Sequence, residues 1–288
     1  MAEAVERFSH ELATLVEDSA YSVVRVEGRR RLPATGVLWS EDGVVITAHH
    51  VVQREQGIMV GTDDGETVEA DVVGREPAID LAVLRVRGMD GVKARWTDSS
   101  QANVGNIVLA LGRPRQDIQA AFGIISALSD SWRTPLGGAV DRYVQSDVVM
   151  YPGFSGGPLL TATGHMLGIN TSALLRGTSL TIPTETLQRV VPELLEHGQV
   201  RRAYLGVSSQ KVELPSAAQE RVGQRSGLLV VSVEPGSPAE AAGLSLGDTL
   251  VELEGSPITS LEDLLAELAG ERIGQSLELR ALRAGETI

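Results

Sequence analysis

Gly153-Phe154-Ser155-Gly156-Gly157-Pro158-Leu159 sets a serine among glycines. Glycine is costly to a fold except where the backbone takes unusual angles or must approach something closely. An acyl-transfer site supplies such a reason: the amides of Gly153 and Ser155 can converge on a developing oxyanion, with the Ser155 hydroxyl beside them as nucleophile. Taken alone, the block fits an ordinary glycine turn as well. A serine nucleophile needs a base, and the histidines are His10, His49, His50, His165 and His197. The pair His49-His50 stands in Thr47-Ala48-His49-His50-Val51-Val52, directly after a β-like run. Metal binding is the rival use of such a pair. However, sequence neighbours rarely ligate one ion together, and no H-E-x-x-H pattern or nearby carboxylate cluster accompanies them. An orienting carboxylate is available in Asp80, at the head of the apolar run Leu81-Ala82-Val83-Leu84, where an unpaired acid is costly to bury. By itself Asp80 reads first as a turn or strand-end residue.

These side chains must be held by something, and the region from Tyr21 to Ser172 reads as all-β. Short β-rich runs occur at 21–26, 36–40, 44–47, 58–61, 67–74, 81–86, 107–111, 118–128, 143–146 and 164–171. Turn signals punctuate them at Asp42-Gly43, Asp64-Gly65 and Thr163-Gly164. Many short strands without interleaved helices describe an antiparallel sandwich or a pair of barrels. Ahead of them, Val5, Phe8, Leu12, Leu15 and Val16 form one apolar stripe, expected to pack an opening helix on the main body. After them, Thr184 is placed to cap a helix that runs toward Glu196, is interrupted or restarted at Pro192, and closes at Gly198. Gln199-Val200-Arg201-Arg202 is polar enough for a linker. Beyond it the pattern turns α+β: strands at 228–233, 249–253 and 276–282, a short helix ending at Gly243, and a helix from Ser260 to Ala269 with Ser260 and Asp263 as a capping pair.

The chain's 288 residues allow one large domain or two ordinary ones, and 42% hydrophobic residues can bury a substantial core. Lys and Arg number 25 against 38 Asp and Glu, a net charge of −13 that argues against nucleic-acid or anionic-membrane binding. From Tyr204 onward 6 basic residues face 13 acidic ones, so about half the excess lies in the last third. Cysteine is absent, which excludes thiol catalysis, disulfides and Cys-ligated metal centres. No apolar run approaches the roughly 18 residues that span a bilayer. The start, Met-Ala-Glu-Ala-Val-Glu, is acidic where a secretory leader is basic. A cytoplasmic location is therefore expected if the chain is complete, and an extracytoplasmic one if a leader preceded it.

Taken together, the residues resemble the trypsin-like serine proteases, and most closely the HtrA (Deg) family of protease–PDZ proteins, over nearly the whole chain. Thr47–Val52 matches the family's T-x-x-H-V-V, which picks His50 as the base. Asp80–Leu84 matches its D-L-A-V-L strand. Gln145-Ser146-Asp147 followed by Pro152-Gly153-Phe154-Ser155-Gly156-Gly157-Pro158-Leu159, continuing into Gly168-Ile169-Asn170-Thr171, resembles its nucleophile block. The intervals His50 to Asp80 and Asp80 to Ser155, 30 and 75 residues, are also HtrA-like.

The resemblance implies a mainly β fold: a double six-stranded antiparallel β-barrel over residues 21–198 after a helix at 1–20, a linker at 199–203, and a small α+β PDZ domain at 204–288. It implies Ser155 as nucleophile, His50 as base, Asp80 as its orienting acid, the amides of Gly153, Phe154 and Ser155 as oxyanion hole, and no metal or organic cofactor. Phe154 departs from the family, which usually carries Asn there, with Asp in digestive relatives. Without that Asp, activation by a new N-terminal amine is excluded, and the loop's resting geometry is in question. Ala48-His49 replaces a small polar pair. Val149, six residues before the nucleophile and beside Met150, stands where the primary specificity pocket has its floor; uncharged, it implies cleavage after a small or medium aliphatic residue. Tyr204-Leu205-Gly206-Val207 matches the PDZ carboxylate-binding loop, with Leu264, Leu265 or Leu268 as groove wall or core. The last residues, Gly285-Glu286-Thr287-Ile288, fall within the hairpin before the final PDZ strand, so that strand is expected to be cut short.

The activity implied is ATP-independent endoproteolysis of unfolded or damaged proteins, with peptide C-termini captured at the PDZ groove. A homo-oligomer, favoured as a trimer, would form through N-terminal aromatics such as Phe8 and Tyr21. The alternative is a catalytically impaired holdase or PDZ adaptor, for which Phe154 is the one feature in favour. A non-protease acyl hydrolase is disfavoured, because the order of elements is not that of an α/β-hydrolase.

Overall fold

The computed structural model describes residues 2–288 apart from Asp64, Asp90 and Ala269, and for Glu271 the backbone alone. The expected turn residue Asp64 and the expected last helical residue Ala269 lie outside the described residues. The chain divides into two compact units, Met1–Val200 and Arg201–Ile288.

In the first unit, β1 (Val23–Glu27), β2 (Ala34–Leu38), β3 (Val44–Ala48), β4 (Ile58–Gly61), β5 (Thr67–Glu76) and β6 (Leu81–Val86) close into an antiparallel barrel in the order β1-β2-β3-β6-β5-β4. Successive strand residues point to opposite faces, yet every residue of β2 and β3 is buried. The two faces feed different cores. Val24, Val26, Leu38, Val45, Ala82 and Leu84 fill the barrel, while Val23, Val37, Val44, Ile46, Leu81 and Val83 face a second layer. That layer is shared with Leu109, Leu111, Leu160, Met166, Ile169 and Ile182 of the following strands.

Those strands are β7 (Ile107–Gly112), β8 (Gln119–Ser129), β11 (Tyr143–Ser146), β12 (Pro158–Thr161), β13 (Met166–Thr171) and β14 (Ser179–Pro183), with the short pair β9 (Trp132–Arg133) and β10 (Ala139–Val140) between. They close a second barrel in the order β11-β14-β13-β12-β7-β8. The fold is thus the mainly β, double six-stranded barrel that the resemblance implied.

The helices differ from expectation in instructive ways. Helix α1 spans Ala2–Ala20, but only the later part of its apolar stripe is packed: Leu12 and Val16 reach the shared layer, whereas Val5 is 63% exposed. Helix α2 (Thr184–His197) runs uninterrupted through Pro192. The carbonyl that Pro192 leaves without a donor belongs to Gln188, on the solvent face, where water can satisfy it. Thr184 is the first helical residue rather than the cap, and its hydroxyl donates to Met166 O at 3.2 Å. Gly198 ends the helix at φ 74°, donating its N–H to Leu194 O at 3.0 Å.

The second unit is a sheet ordered β15-β16-β17-β19-β20, with β15 (Val207–Glu213), β16 (Ser226–Val233), β17 (Thr249–Leu253), β19 (Leu279–Arg283) and β20 (Glu286–Thr287), and with β18 (Ser256–Pro257) paired to β17. Helices α3 (Ser216–Val222), α4 (Pro238–Ala241) and α5 (Leu261–Glu267) accompany it. Ser260 and Asp263 form the expected capping box on α5. The final residues do pair: Ile288 and Ala281 exchange backbone hydrogen bonds beyond β20.

Candidate functional site

Asp80 follows a 3₁₀ turn, Pro77–Ile79, and sits in the left-handed region at φ 59° and ψ 43°. Asp tolerates that conformation better than most residues, but it carries strain that the surroundings must outweigh. They do so with hydrogen bonds. Asp80 is 3% exposed; Oδ1 accepts the His50 backbone N–H at 2.8 Å, and Oδ2 lies 2.8 Å from His50 Nδ1 and accepts the Thr171 hydroxyl at 2.5 Å. Beside it, the His49 N–H donates to Asp80 O at 3.0 Å. Against a carboxylate, Nδ1 is the protonated nitrogen, so Nε2 is left as the acceptor.

Ser155 lies in the turn leading into β12 and is 8% exposed. Its Oγ is 3.1 Å from Ser172 Oγ, and among the described residues it makes no hydrogen bond to the His50 ring. Consecutive residues at the end of β13 thus touch both ends of the site, Thr171 at Asp80 and Ser172 at Ser155.

The backbone before Ser155 is tightly held. Gly153 has φ +97°, which admits no ordinary side chain. Gly153 O accepts the Thr35 hydroxyl at 2.7 Å, and the Thr35 N–H reaches Ser155 O at 3.3 Å. The Phe154 N–H donates to Tyr151 O at 3.0 Å, so of the three amides suggested for the oxyanion hole this one is engaged within the chain. The Gly153 and Ser155 amides donate to no group among the described residues. The Phe154 ring is fully buried in the second barrel among Val108, Ala110, Ile125 and Leu159, edge-on to Tyr151 at 5.6 Å. It lies so close over Gly112 that a Cβ there would come within 2.4 Å of the ring.

Val149 is 59% exposed, an open surface position rather than a closed pocket floor; Val148 is the buried neighbour, and Met150 is half-buried against the second-barrel core. His49 is half-buried, with its Nδ1 lacking a hydrogen-bond partner among the described residues. Burial first, and then the Arg75 guanidinium, hold its pKa below the usual histidine value. His10 lies on the exposed face of α1, His165 contacts Thr163, and His197 is near Glu196. Thr171 was legible as part of a matched run but without a role; nothing in residue type or spacing pointed to Thr35 or Ser172.

In the second unit, Gly206 adopts φ +83°, and a Cβ there would meet Ser237 Cβ at 2.2 Å. Gly206 O accepts the Glu234 N–H at 2.9 Å, Leu205 O accepts the Ala239 N–H at 2.9 Å, and the exposed Tyr204 hydroxyl bonds the Glu234 carboxylate. The Leu205 and Gly206 amides are engaged with no acceptor among the described residues. Val207 opens β15, which is the edge of its sheet. Leu264 and Leu268 are core residues, leaving half-buried Leu265 as the remaining groove-wall candidate of the three.

Residues 34–169 match the family described as trypsin-like peptidase domain, and residues 203–288 match the PDZ domain family. A probable periplasmic serine endoprotease DegP-like of Chlamydia trachomatis is 34% identical over 271 residues, covering 92% of this chain and 54% of that protein. The serine endoprotease DegS of Haemophilus influenzae is 32% identical over 229 residues, covering 76% of this chain and 64% of its own. The chain therefore spans about half the length of the DegP-like relatives it matches. Among solved structures, an HtrA-type protease AlgW with decapeptide aligns over 96% of this chain and 95% of its own, at TM-score 0.74 and 27% identity. The serine endoprotease from Yersinia pestis aligns over 96% and 94%, at TM-score 0.73 and 29% identity.

Proposed function

The chain belongs to the HtrA-type family of trypsin-like serine proteases with a PDZ domain, and from that premise we propose that it is an ATP-independent serine endopeptidase acting on unfolded or damaged proteins. The observation that carries the reading is the joined set of contacts around Asp80, His50, Thr171, Ser172 and Ser155. Ser155 turns from Ser172 toward His50 Nε2, loses its proton to that nitrogen, and attacks the scissile carbonyl. The Gly153 and Ser155 amides receive the oxyanion; His50 returns the proton to the leaving amine, and water then releases the acyl group by the same route. Asp80 keeps the ring in the productive tautomer and stabilises the imidazolium. With no acid at Val149 or Met150 to pair a Lys or Arg before the cut, a small or medium aliphatic residue is the proposed preference.

The Leu205 and Gly206 amides, next to the open edge of β15, suit capture of a peptide C-terminus by strand addition. The exposed Val5, Phe8 and Tyr21 support a homo-oligomer formed through N-terminal contacts, with a trimer as the proposed size. The relatives named periplasmic lend no support to a cytoplasmic location; we place the chain outside the cytoplasm. A second reading, a holdase or adaptor with an idle site, is favoured by one observation: Ser155 Oγ rests on Ser172 rather than on His50.

Peptide release from an unfolded model protein, followed together with fluorophosphonate labelling, separates the two. The parent is expected to cleave and to be labelled at Ser155, and Ser155→Ala to do neither. Undiminished cleavage by Ser155→Ala overturns the assignment, and binding without cleavage or labelling in the parent selects the holdase.

A further inference from the structure

Arg113 follows β7 and is 4% exposed, yet among the described residues no carboxylate forms an ion pair with it. Asp63 and Asp117 act on it only from a distance, so the buried guanidinium needs other acceptors. Arg113 finds three backbone carbonyls: Nε donates to Val23 O at 2.8 Å, one terminal nitrogen to Gln116 O at 2.8 Å, and the other to Ala20 O at 2.9 Å. Ala20 is the last residue of α1, where unpaired carbonyls and the negative end of the helix dipole favour a cation. No basic residue lies in the last turn of α1 itself, so Arg113 supplies that charge from outside.

The backbone of the same arginine faces the catalytic loop. Arg113 N–H donates to Thr35 Oγ1 at 2.8 Å, and Thr35 Oγ1 in turn donates to Gly153 O at 2.7 Å. The peptide between Gly153 and Phe154 is therefore fixed at both ends, its oxygen by Thr35 and its N–H by Tyr151 O. Pro114 packs close to Gly153 from the same turn: a Cβ on Gly153 would meet Pro114 Cβ at 2.5 Å. Thr35 is fully buried, so no water competes for its hydroxyl. Hydrogen bonds at the two ends of Arg113, its guanidinium on Ala20 O and its backbone N–H on Thr35, thus connect the end of α1 to the loop that carries Ser155.

We propose that Arg113 is a positioning residue that, through Thr35, couples the seating of the N-terminal helix to the geometry of the oxyanion loop. Arg113 touches neither substrate nor reacting atoms. Through Thr35 it holds the Gly153 carbonyl, in the peptide that lies between the Gly153 and Ser155 amides, so loosening it loosens the spacing of those two donors. The kinetic consequence rests on the endopeptidase reading; the structural coupling does not.

The test uses Arg113→Met, Thr35→Val, Thr35→Ser and the double variant Arg113→Met/Thr35→Val in the full chain. On a fluorogenic peptide, Arg113→Met and Thr35→Val are each expected to lower kcat about tenfold with KM changed less than about twofold, because a transition-state contact is what loosens. Thr35→Ser keeps the hydroxyl and stays near the parent. The double variant falls no further than the worse single one, since both act on one carbonyl. Hydrogen exchange, read by mass spectrometry in a Ser155→Ala background, supplies an arm independent of activity. Arg113→Met speeds exchange both in residues 150–156 and at the end of α1, and Thr35→Val speeds it in 150–156 alone. If Arg113→Met does not fold, Arg113→Lys, which keeps charge but loses the planar fork, must show the same two-site acceleration. Unchanged exchange at 150–156 in the arginine variants, or kcat losses that multiply in the double variant, overturns the coupling. A parent that neither cleaves nor labels sinks the endopeptidase reading instead, and the exchange arm still decides this one.

Discussion

Ser155 has a single proton and two neighbours to share it with: the Ser172 hydroxyl at 3.1 Å, and the imidazole whose far nitrogen Asp80 leaves free. A neutral hydroxyl–hydroxyl bond at a partly exposed site is worth about 0.5–1.5 kcal/mol net, and serine rotamers interchange readily. Ser172 therefore acts as a mild hold on the nucleophile. Ser172→Ala is expected to speed fluorophosphonate labelling of Ser155 by about twofold to tenfold, leaving the shape of its pH profile unchanged; a slower rate would mean that Ser172 assists the attack. Ser155, His50 and Asp80 were legible in the sequence because their chemistry fixes residue type and local motif. Ser172 and Thr35 were not, because a hydroxyl announces no partner until folding brings residues 155 and 172, or 35 and 153, together.

At the level of elements, β12 is fastened to the catalytic turn by Phe154, whose ring fills the second barrel over Gly112. The aromatic that put the loop's resting geometry in question packs as an apolar anchor in the second barrel. Gly112→Ala forces a methyl group against that ring and is expected to cost about 1–3 kcal/mol of stability, read by urea unfolding, with a parallel loss of kcat. A variant as stable and active as the parent would show that Phe154 has slack. Strands β12 and β14 went unread, since the pattern around 158–161 is dominated by glycine and proline punctuation, and 179–183 is short and ends in Pro183. Proline at the first position of β12 is tolerated because the strand begins there. Pro192 misled in the opposite direction: its penalty falls on a carbonyl that water can reach, so α2 continues.

Across the whole molecule, the two units have separate cores and different reporters. All three tryptophans, Trp39, Trp96 and Trp132, belong to the first unit, so their fluorescence is blind to the second, whereas circular dichroism sees both. In the second unit, Asp248 is buried and its carboxyl is held below the ordinary value, chiefly by hydrogen bonds from Arg283 at 2.8 and 2.7 Å. A depressed acid stabilises the fold fully above its unfolded pKa, about 3.9, and that contribution is lost as pH falls through the lower folded value. Acid titration should therefore weaken the second unit below about pH 4, and the dichroism change reads that loss. Asp248→Asn should be less stable at neutral pH and lose less on acidification; an identical pH dependence would remove Asp248 from the account. The double barrel was legible from strand count and motif, whereas the sharing of one apolar layer by both barrels and α2 is a three-dimensional fact that no local pattern carries. The open edge of β15 has a further consequence. An unpaired strand that welcomes a peptide backbone equally invites a second copy of itself, the first step toward an aggregate. Here Ser208, Gln210, Lys211 and Glu213 are exposed along it, and its ladder with β16 breaks register between Ser208 and Ser209. Charge and kink together let such an edge admit one short guest while discouraging the long, flat pairing from which fibrils grow.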